Sequence, residues 1–410
     1  MKELLKNRNV LIMWISRAFS RFGDSFESLA LMYLVYDITD SALAMGTVMI
    51  FSMVPNVIVS PLAGVIIDRY NKKVIMFCAE IVRAVLILAI PVLMYLKLIA
   101  FWNICVIAVG VSIAESFFVP CISVVMKMVV RDDQLPLINS LLSTTNCIMR
   151  ILGYSLAATA MAFLGKELIF MTDSITFLVS AIAAVLITIP ELKVKKLESG
   201  GEILDDLMDG FRYVKCQKFI LIILVSYFII NGTATPVMDF MPIFTGEMLR
   251  LTPSWAGYFM TVSSVGSVFG TILYPFLVKR KYTLEQAFMA GLVCCGVVLL
   301  LPCFFPHYIT AMVLYLVTGI VGPILSAWGA TYIQSNCDVR YLGRVASVRN
   351  IALLASTPLA AGIVGWAVDM FSLKITIEIS AAVSIASGII LYKLFRKYKV
   401  VKKDIEAEAI

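Results

Sequence analysis

Among the charged residues inside otherwise apolar stretches are Arg17, Arg21, Asp24 and Glu27 within 9–37, Glu80 and Arg83 within 73–96, Glu115 within 101–130, and Arg150 within 137–163. A charge at the centre of a bilayer-spanning helix costs about 2.5 kcal/mol or more, so such residues face a bundle interior or a wet cavity and pair with one another. Arg17, Arg21, Asp24 and Ser28 are spaced four, three and four apart, which lays one stripe along a helix with Glu27 slightly to its side. Glu80 and Arg83 are one turn apart. At ~1.5 Å per residue, Arg83 lies about 15 Å from its helix end, Arg150 about 20 Å, and Asp24 and Glu115 about 22 Å, so these groups fit one layer near mid-membrane. Four guanidinium groups face four carboxyls, which predicts a neutral network. Its chemistry would be proton handling: a carboxyl screened from water takes up a proton from one side and releases it to the other as the local field changes. Entry at Glu115 or Asp24 would loosen a pair with Arg150 or Arg21. Arg17, Glu80 and Arg83 read better as braces between helices, and Asp24, Glu27 and Glu115 better as functional groups.

The elements that must hold these residues follow from composition. The chain of 410 residues is 60% hydrophobic and 15% charged, with a mean hydropathy of +0.93, far more apolar than a soluble core of that length can absorb. Runs of about 20 apolar residues match a ~30 Å hydrocarbon layer. Twelve are predicted, at 9–37, 41–67, 73–96, 101–130, 137–163, 168–189, 219–244, 254–278, 285–303, 308–335, 345–369 and 375–395. The fold class is therefore all-α integral membrane. An even number of crossings puts both termini on one side. With the termini in the cytoplasm, inner segments hold 25 of the 34 Lys and Arg, while outer loops hold only Lys97, Lys166, Arg250 and Lys374. The expected location is the cell membrane, with both termini cytoplasmic. The net charge of +7 follows from that bias and from contact with membrane lipid, so no nucleic-acid partner is implied.

The longest polar stretch, 190–218, divides the helices six and six. Within it Ile203, Leu204, Leu207, Phe211 and Val214 recur at helical spacing, with acids first and bases last, as suits a helix lying at the membrane surface. The predicted organisation is an N-terminal six-helix bundle (1–190), a linker with an amphipathic helix (191–218), a C-terminal six-helix bundle (219–396) and a tail (397–410). A shift of 207 residues sets Leu135 on Leu342, Ser140 on Ser347, Lys72 on Lys279, Lys73 on Arg280 and Asp24 on Asn231, which points to duplicated halves.

Residues 64–73, "GVIIDRYNKK", read G-x-x-x-D-R-x-x-K-K and resemble the signature between helices 2 and 3 of the major facilitator superfamily. "FSRFGDSFESLALMYLVYDITDSA", "RDDQLPLINSLLS", "DGFRYVK" and "YLGRVASV" resemble its drug-efflux branch, which includes macrolide and siderophore exporters. The resemblance implies two pseudo-symmetric six-helix bundles and transport by alternating access. It also implies a cytoplasmic gate of Gly64, Asp68, Arg69, Lys72 and Lys73, in which Asp68 pairs with Arg344 or the start of helix 11, and Gly64 permits close packing. Two departures stand out. Gly153 is followed by Tyr154 rather than the Pro common in the superfamily's antiporters, and the second copy, "VKRKYTLE", lacks the Asp.

The implied activity is proton-coupled export of amphipathic small molecules, macrolide-like drugs first, with a siderophore, peptide antibiotic or lysolipid as the alternative cargo. A monomer is expected. The 21 Met and 24 Phe suit a substrate surface but also suit contact with lipid. Phe117, Phe118, Tyr227, Asn231, Trp255 and Trp328 are the cavity candidates, and Asn231 with Pro236 could equally serve to kink their helix. Asp239, Asp369 and Glu378 fall near the outer interface and Arg349 near the inner one, where long side chains reach water cheaply. An enzyme is not expected, because no nucleophile and base come together and no G-x-x-x-x-G-K-[ST] loop occurs. A single His, His307, and nine Cys without a C-x-x-C pair predict neither metal nor cofactor. A non-transporting membrane sensor is the rival reading.

Overall fold

The computed structural model describes residues 7–130, 134–163, 165–188, 208–209, 212–279, 283–337 and 341–408. Twelve long helices occur among them: α1 (Arg8–Thr39), α2 (Ala42–Arg69), α3 (Lys72–Tyr95), α4 (Phe101–Val129), α5 (Leu135–Phe163), α6 (Lys166–Leu186), α7 (Lys218–Met238), α8 (Ser254–Lys279), α9 (Leu284–Phe304), α10 (Tyr308–Asn336), α11 (Leu342–Met370) and α12 (Leu373–Glu408). Ten are long and apolar enough to cross a membrane. The other two, α1 and α5, carry Arg17, Arg21, Asp24, Glu27 and Arg150.

The predicted spans differ from these helices in two places. Span 219–244 stops as an α-helix at Met238, after Pro236, and the chain resumes as a π-helical turn, Ile243–Met248, behind Pro242. Pro236 and Pro242 each lack the N–H that would bond the preceding turn, and the break falls between them. At the other end of the chain α12 runs on past 395, through Lys, Glu and Ala residues that favour helix.

The chain forms two compact units, Met1–Ser199 with Thr252–Thr261, and Gly200–Leu251 with Val262–Ile410. In the first, α6 packs against α1 and α3, α1 against α5, and α4 against α2 and α3. The second repeats that plan six helices later: α12 packs against α7 and α9, α7 against α11, and α10 against α9. The equivalent of α2 against α4 is α8 against α10. There Gly266 and Gly270, four apart, abut the backbone of Leu316 and Ile320, so any side chain at these positions would strike main chain. Helices α4, α5 and α6 begin at 101, 135 and 166, and α10, α11 and α12 at 308, 342 and 373, each 207 residues later. The spacing seen in the sequence is thus the period of the architecture.

Polar side chains close several of the helix N-termini. Asn71 caps α3 by accepting from the Lys73 N–H (2.9 Å), and Thr283 and Gln286 form a reciprocal capping box on α9. Of the predicted linker, 208–209 and 212–218 lie in the described residues; 208–209 and 212–216 are helical, and Lys218 begins α7.

Candidate functional site

The stripe on α1 meets α3 and α6 in the interior of the first unit. Asp24 is the hub. Its Oδ2 accepts from Arg21 Nη1 at 3.1 Å and its Oδ1 from Arg83 Nη2 at 2.8 Å. The other terminal nitrogen of Arg83 reaches Glu80 Oε1 at 3.4 Å, and its guanidinium lies over the Phe177 ring, 4.0 Å from the centroid. Arg83 is 4% exposed and Arg21 30%, so the Arg83 bond is the dry one and the Arg21 bond faces solvent or a cavity. Arg17 lies over the ring of Phe118 at 5.6 Å. Glu27 and Glu115, both half-buried, stand within electrostatic reach of Asp24 and Arg83.

A fifth acid, not anticipated from the sequence, joins them. Asp173 on α6 is fully buried, accepts from the Thr176 hydroxyl at 3.2 Å, and leaves Oδ2 without a hydrogen-bond partner. It faces Gly23 of α1, where a Cβ would collide with Asp173 Oδ1 and Thr176 Oγ1. Two turns of α1 before the hub, Ser16 bonds Ser180 of α6 at 3.0 Å. Arg150, by contrast, is exposed and forms no ion pair with a described residue. The expected balance of four against four therefore does not hold. Asp24, Glu27, Glu80, Glu115 and Asp173 face Arg17, Arg21 and Arg83, an excess of two acids.

The gate motif occupies the end of α2 and the start of α3. Arg69 is exposed, and the side chain of Asp68 lies outside the described residues. Nothing described lies within 4 Å of a Cβ built on Gly64. Lys73 has a role beyond topology: its Nζ donates to the Val185 carbonyl at 3.3 Å, satisfying one of the free carbonyls at the end of α6. Lys72 offers its own carbonyl to the Cys121 thiol at 3.5 Å. Arg344 pairs with Asp209 at 3.2 Å and lies over Tyr341, whose ring stacks on Tyr213 at 4.5 Å.

Most of the cavity candidates are engaged within their own unit. Phe118, Tyr227 and Trp328 are buried, and Phe117 packs against the core of the first unit. Aromatic rings this large fill the space between helices, which is why they read as candidates but pack as core. Asn231 donates from Nδ2 to Ser356 Oγ at 2.8 Å, bridging α7 and α11. Trp255 stacks edge-on against Tyr258.

Arg349 does not reach out to the interface as expected. Its guanidinium lies over Tyr227 at 5.3 Å, Nη2 donates to Ser326 Oγ at 3.2 Å, and Nε is buried without a partner.

The Major Facilitator Superfamily profile matches residues 13–361. Macrolide efflux protein A of Streptococcus pyogenes is 18% identical over 85% of this chain and 86% of its own. The staphyloferrin A transporter of Staphylococcus aureus is 23% identical over 92% and 94%, and the multidrug efflux pump Tap of Mycolicibacterium fortuitum 22% identical over 86% and 88%. Among solved structures, nucleoside transporter NupG superposes with a TM-score of 0.71 at 14% identity, over 95% of this chain and 99% of that one. A bacterial homologue of the iron transporter ferroportin superposes with 0.73 at 16%, over 95% and 98%. A repeated six-helix plan, ten or more membrane-crossing helices and a match across most of the chain lead to one conclusion: this protein is a multi-pass membrane transporter, not an enzyme, and belongs to the major facilitator superfamily.

Proposed function

We propose that the protein is a proton-coupled exporter of amphipathic small molecules, macrolide-like compounds first, working as a monomer by alternating access in the cell membrane with both termini cytoplasmic. The observation that carries this reading is the excess of buried carboxyl over guanidinium around Asp24. A group of charges with two surplus acids partly shielded from water changes its preferred arrangement when a proton enters or leaves, which is what coupling requires. Relatives that include macrolide and multidrug efflux proteins support export as the direction of transport. The halves 1–190 and 219–396 move as bundles about the linker 191–218. Asp68, with Gly64, Arg69, Lys72 and Lys73, latches the start of α11 near Arg344 in the state closed to the cytoplasm. The test is flux in proteoliposomes against macrolides, dyes, siderophores and lysolipids, with and without a pH gradient. Gradient-dependent flux that Asp24→Asn abolishes supports the coupling role, and flux indifferent to the gradient refutes it. Glu115→Gln with coupling intact removes Glu115 from that role. The relative that transports staphyloferrin A favours a second cargo, a siderophore, which the same panel detects.

A further inference from the structure

Two of the stretches that resemble the drug-efflux branch interlock within the second unit. "DGFRYVK" (209–215) lies near the end of the linker, and "YLGRVASV" (341–348) opens α11. Asp209 Oδ2 accepts from Arg344 Nη1 at 3.2 Å, although the two residues are 135 positions apart in the chain. The other carboxylate oxygen, Oδ1, faces Arg212 at 3.7 Å. The rings of Tyr213 and Tyr341 stack with centroids 4.5 Å and planes 14° apart, and the Arg344 guanidinium lies 5.6 Å from the Tyr341 centroid. Val214 is buried in the same core as Val345 of the first turn of α11, and both tyrosines pack against that core. This end of the linker is therefore seated in the second unit as a clasp over the start of α11.

The ion pair is partly exposed on both sides, and such pairs contribute little by themselves. Here the stacked rings and the buried valine already order both backbones, so closing the pair does not order them again. What the pair adds is direction. An arginine side chain has many rotamers, and an unrestrained one gives them up each time it meets a partner. With Nη1 held by Asp209 and the Tyr341 ring beside it, Arg344 keeps one orientation, and its planar fork of donors accommodates a second carboxylate.

We infer that Asp209 is a positioning residue of the cytoplasmic gate, holding Arg344 in the orientation in which it receives the carboxylate of Asp68. The inference rests on the gate reading above and adds to it a residue of the linker, which becomes a working part of the gate as well as a tether.

Amide exchange read by mass spectrometry, on the full chain in phosphatidylcholine nanodiscs, follows the clasp at 212–216 and 341–348 and the gate at 69–73. Asp209→Asn should speed exchange about two- to fivefold at both places, as the loss of a partly exposed pair allows. Asp209→Glu should return both to the wild-type rates. Added to Asp68→Asn, Asp209→Asn should change nothing further at 69–73. Arg212→Gln removes a charge from the same segment without touching Arg344 and should leave 341–348 and 69–73 unchanged. Tyr213→Leu, which removes the stack and keeps the acid, should act in the same direction as Asp209→Asn, and it keeps the question answerable if that variant fails to fold. Unchanged exchange at the clasp in Asp209→Asn, or faster exchange confined to the clasp, overturns the inference. Slower exchange at 69–73 also overturns it, because Asp209 would then compete with Asp68 for Arg344. If Asp68→Asn itself leaves 69–73 unchanged, the gate reading fails, and the clasp only fastens the linker.

Discussion

Replacing Asp24 by Asn tests whether the charge cluster is held together by its hub. The substitution keeps the shape and one acceptor but removes the negative charge shared by Arg21 and Arg83. The Arg83 bond is 2.8 Å long and its guanidinium only 4% exposed, so losing it leaves a buried cation short of a partner. Removing one member of a buried pair costs about 3–5 kcal/mol. The lower end applies, because Glu80 at 3.4 Å and the Phe177 ring still face the guanidinium. For a unit of this size ~3 kcal/mol corresponds to a fall in Tm of about 6–12 °C. Arg21→Gln removes only the partly solvated bond, worth about 0–1 kcal/mol, and should lower Tm by no more than about 4 °C. Thermal unfolding of both variants in one detergent, followed by tryptophan fluorescence, makes the comparison. A Tm for Asp24→Asn within about 2 °C of wild type, or equal losses in the two variants, would show that the buried bond is not what holds α1 to α3.

Gly23→Ala should destabilise the protein by about 1–3 kcal/mol, since its methyl group meets Asp173 and Thr176; adding Asp173→Ala should restore much of the loss in a double-mutant cycle of thermal stability. Gly64→Ala meets no described atom within 4 Å, so Tm should hold or rise by the ~1 kcal/mol that Ala gains over Gly in a helix; if the gate closes there during transport, flux should fall at unchanged stability. Lys73→Ala removes the cation at the end of α6 and should cost about 0.3–1 kcal/mol, visible as faster amide exchange in the last turn of that helix. Asn231→Ala should cost about 0.6–2 kcal/mol through loss of the bond to Ser356, read as a lower Tm with flux largely retained.

The twelve helices, the 207-residue period and the α1 stripe are legible in the sequence because each is written in local spacing. Arg21 with Asp24 and Glu80 with Arg83 are one-turn pairs, so counting along the chain finds them. Asp173 has no such neighbour. Its surroundings come from Gly23 and Glu27 on another helix, about 150 residues away, and a glycine gives no signal that it is making room for a carboxyl. Arg150 fails in the opposite sense: its depth was readable, but the direction in which its helix faces was not. The same limit applies to Arg349, whose distance from the helix end suggested water while its actual neighbours are Tyr227 and Ser326. Spacing reports how far along a helix a residue lies, and only packing fixes what it meets.

Besides the Ser16–Ser180 bond, helix α6 is held by Lys73 at Val185 and by the fit of Gly23 against Asp173. Those points are twelve residues, roughly 18 Å, apart on one continuous helix. A helix this short transmits a push along its axis like a stiff rod. We expect a change at Asp173 to be felt at the turn that carries Lys73: Asp173→Asn should alter amide exchange in the last turn of α6, and unchanged exchange there would show that the two fastenings act independently.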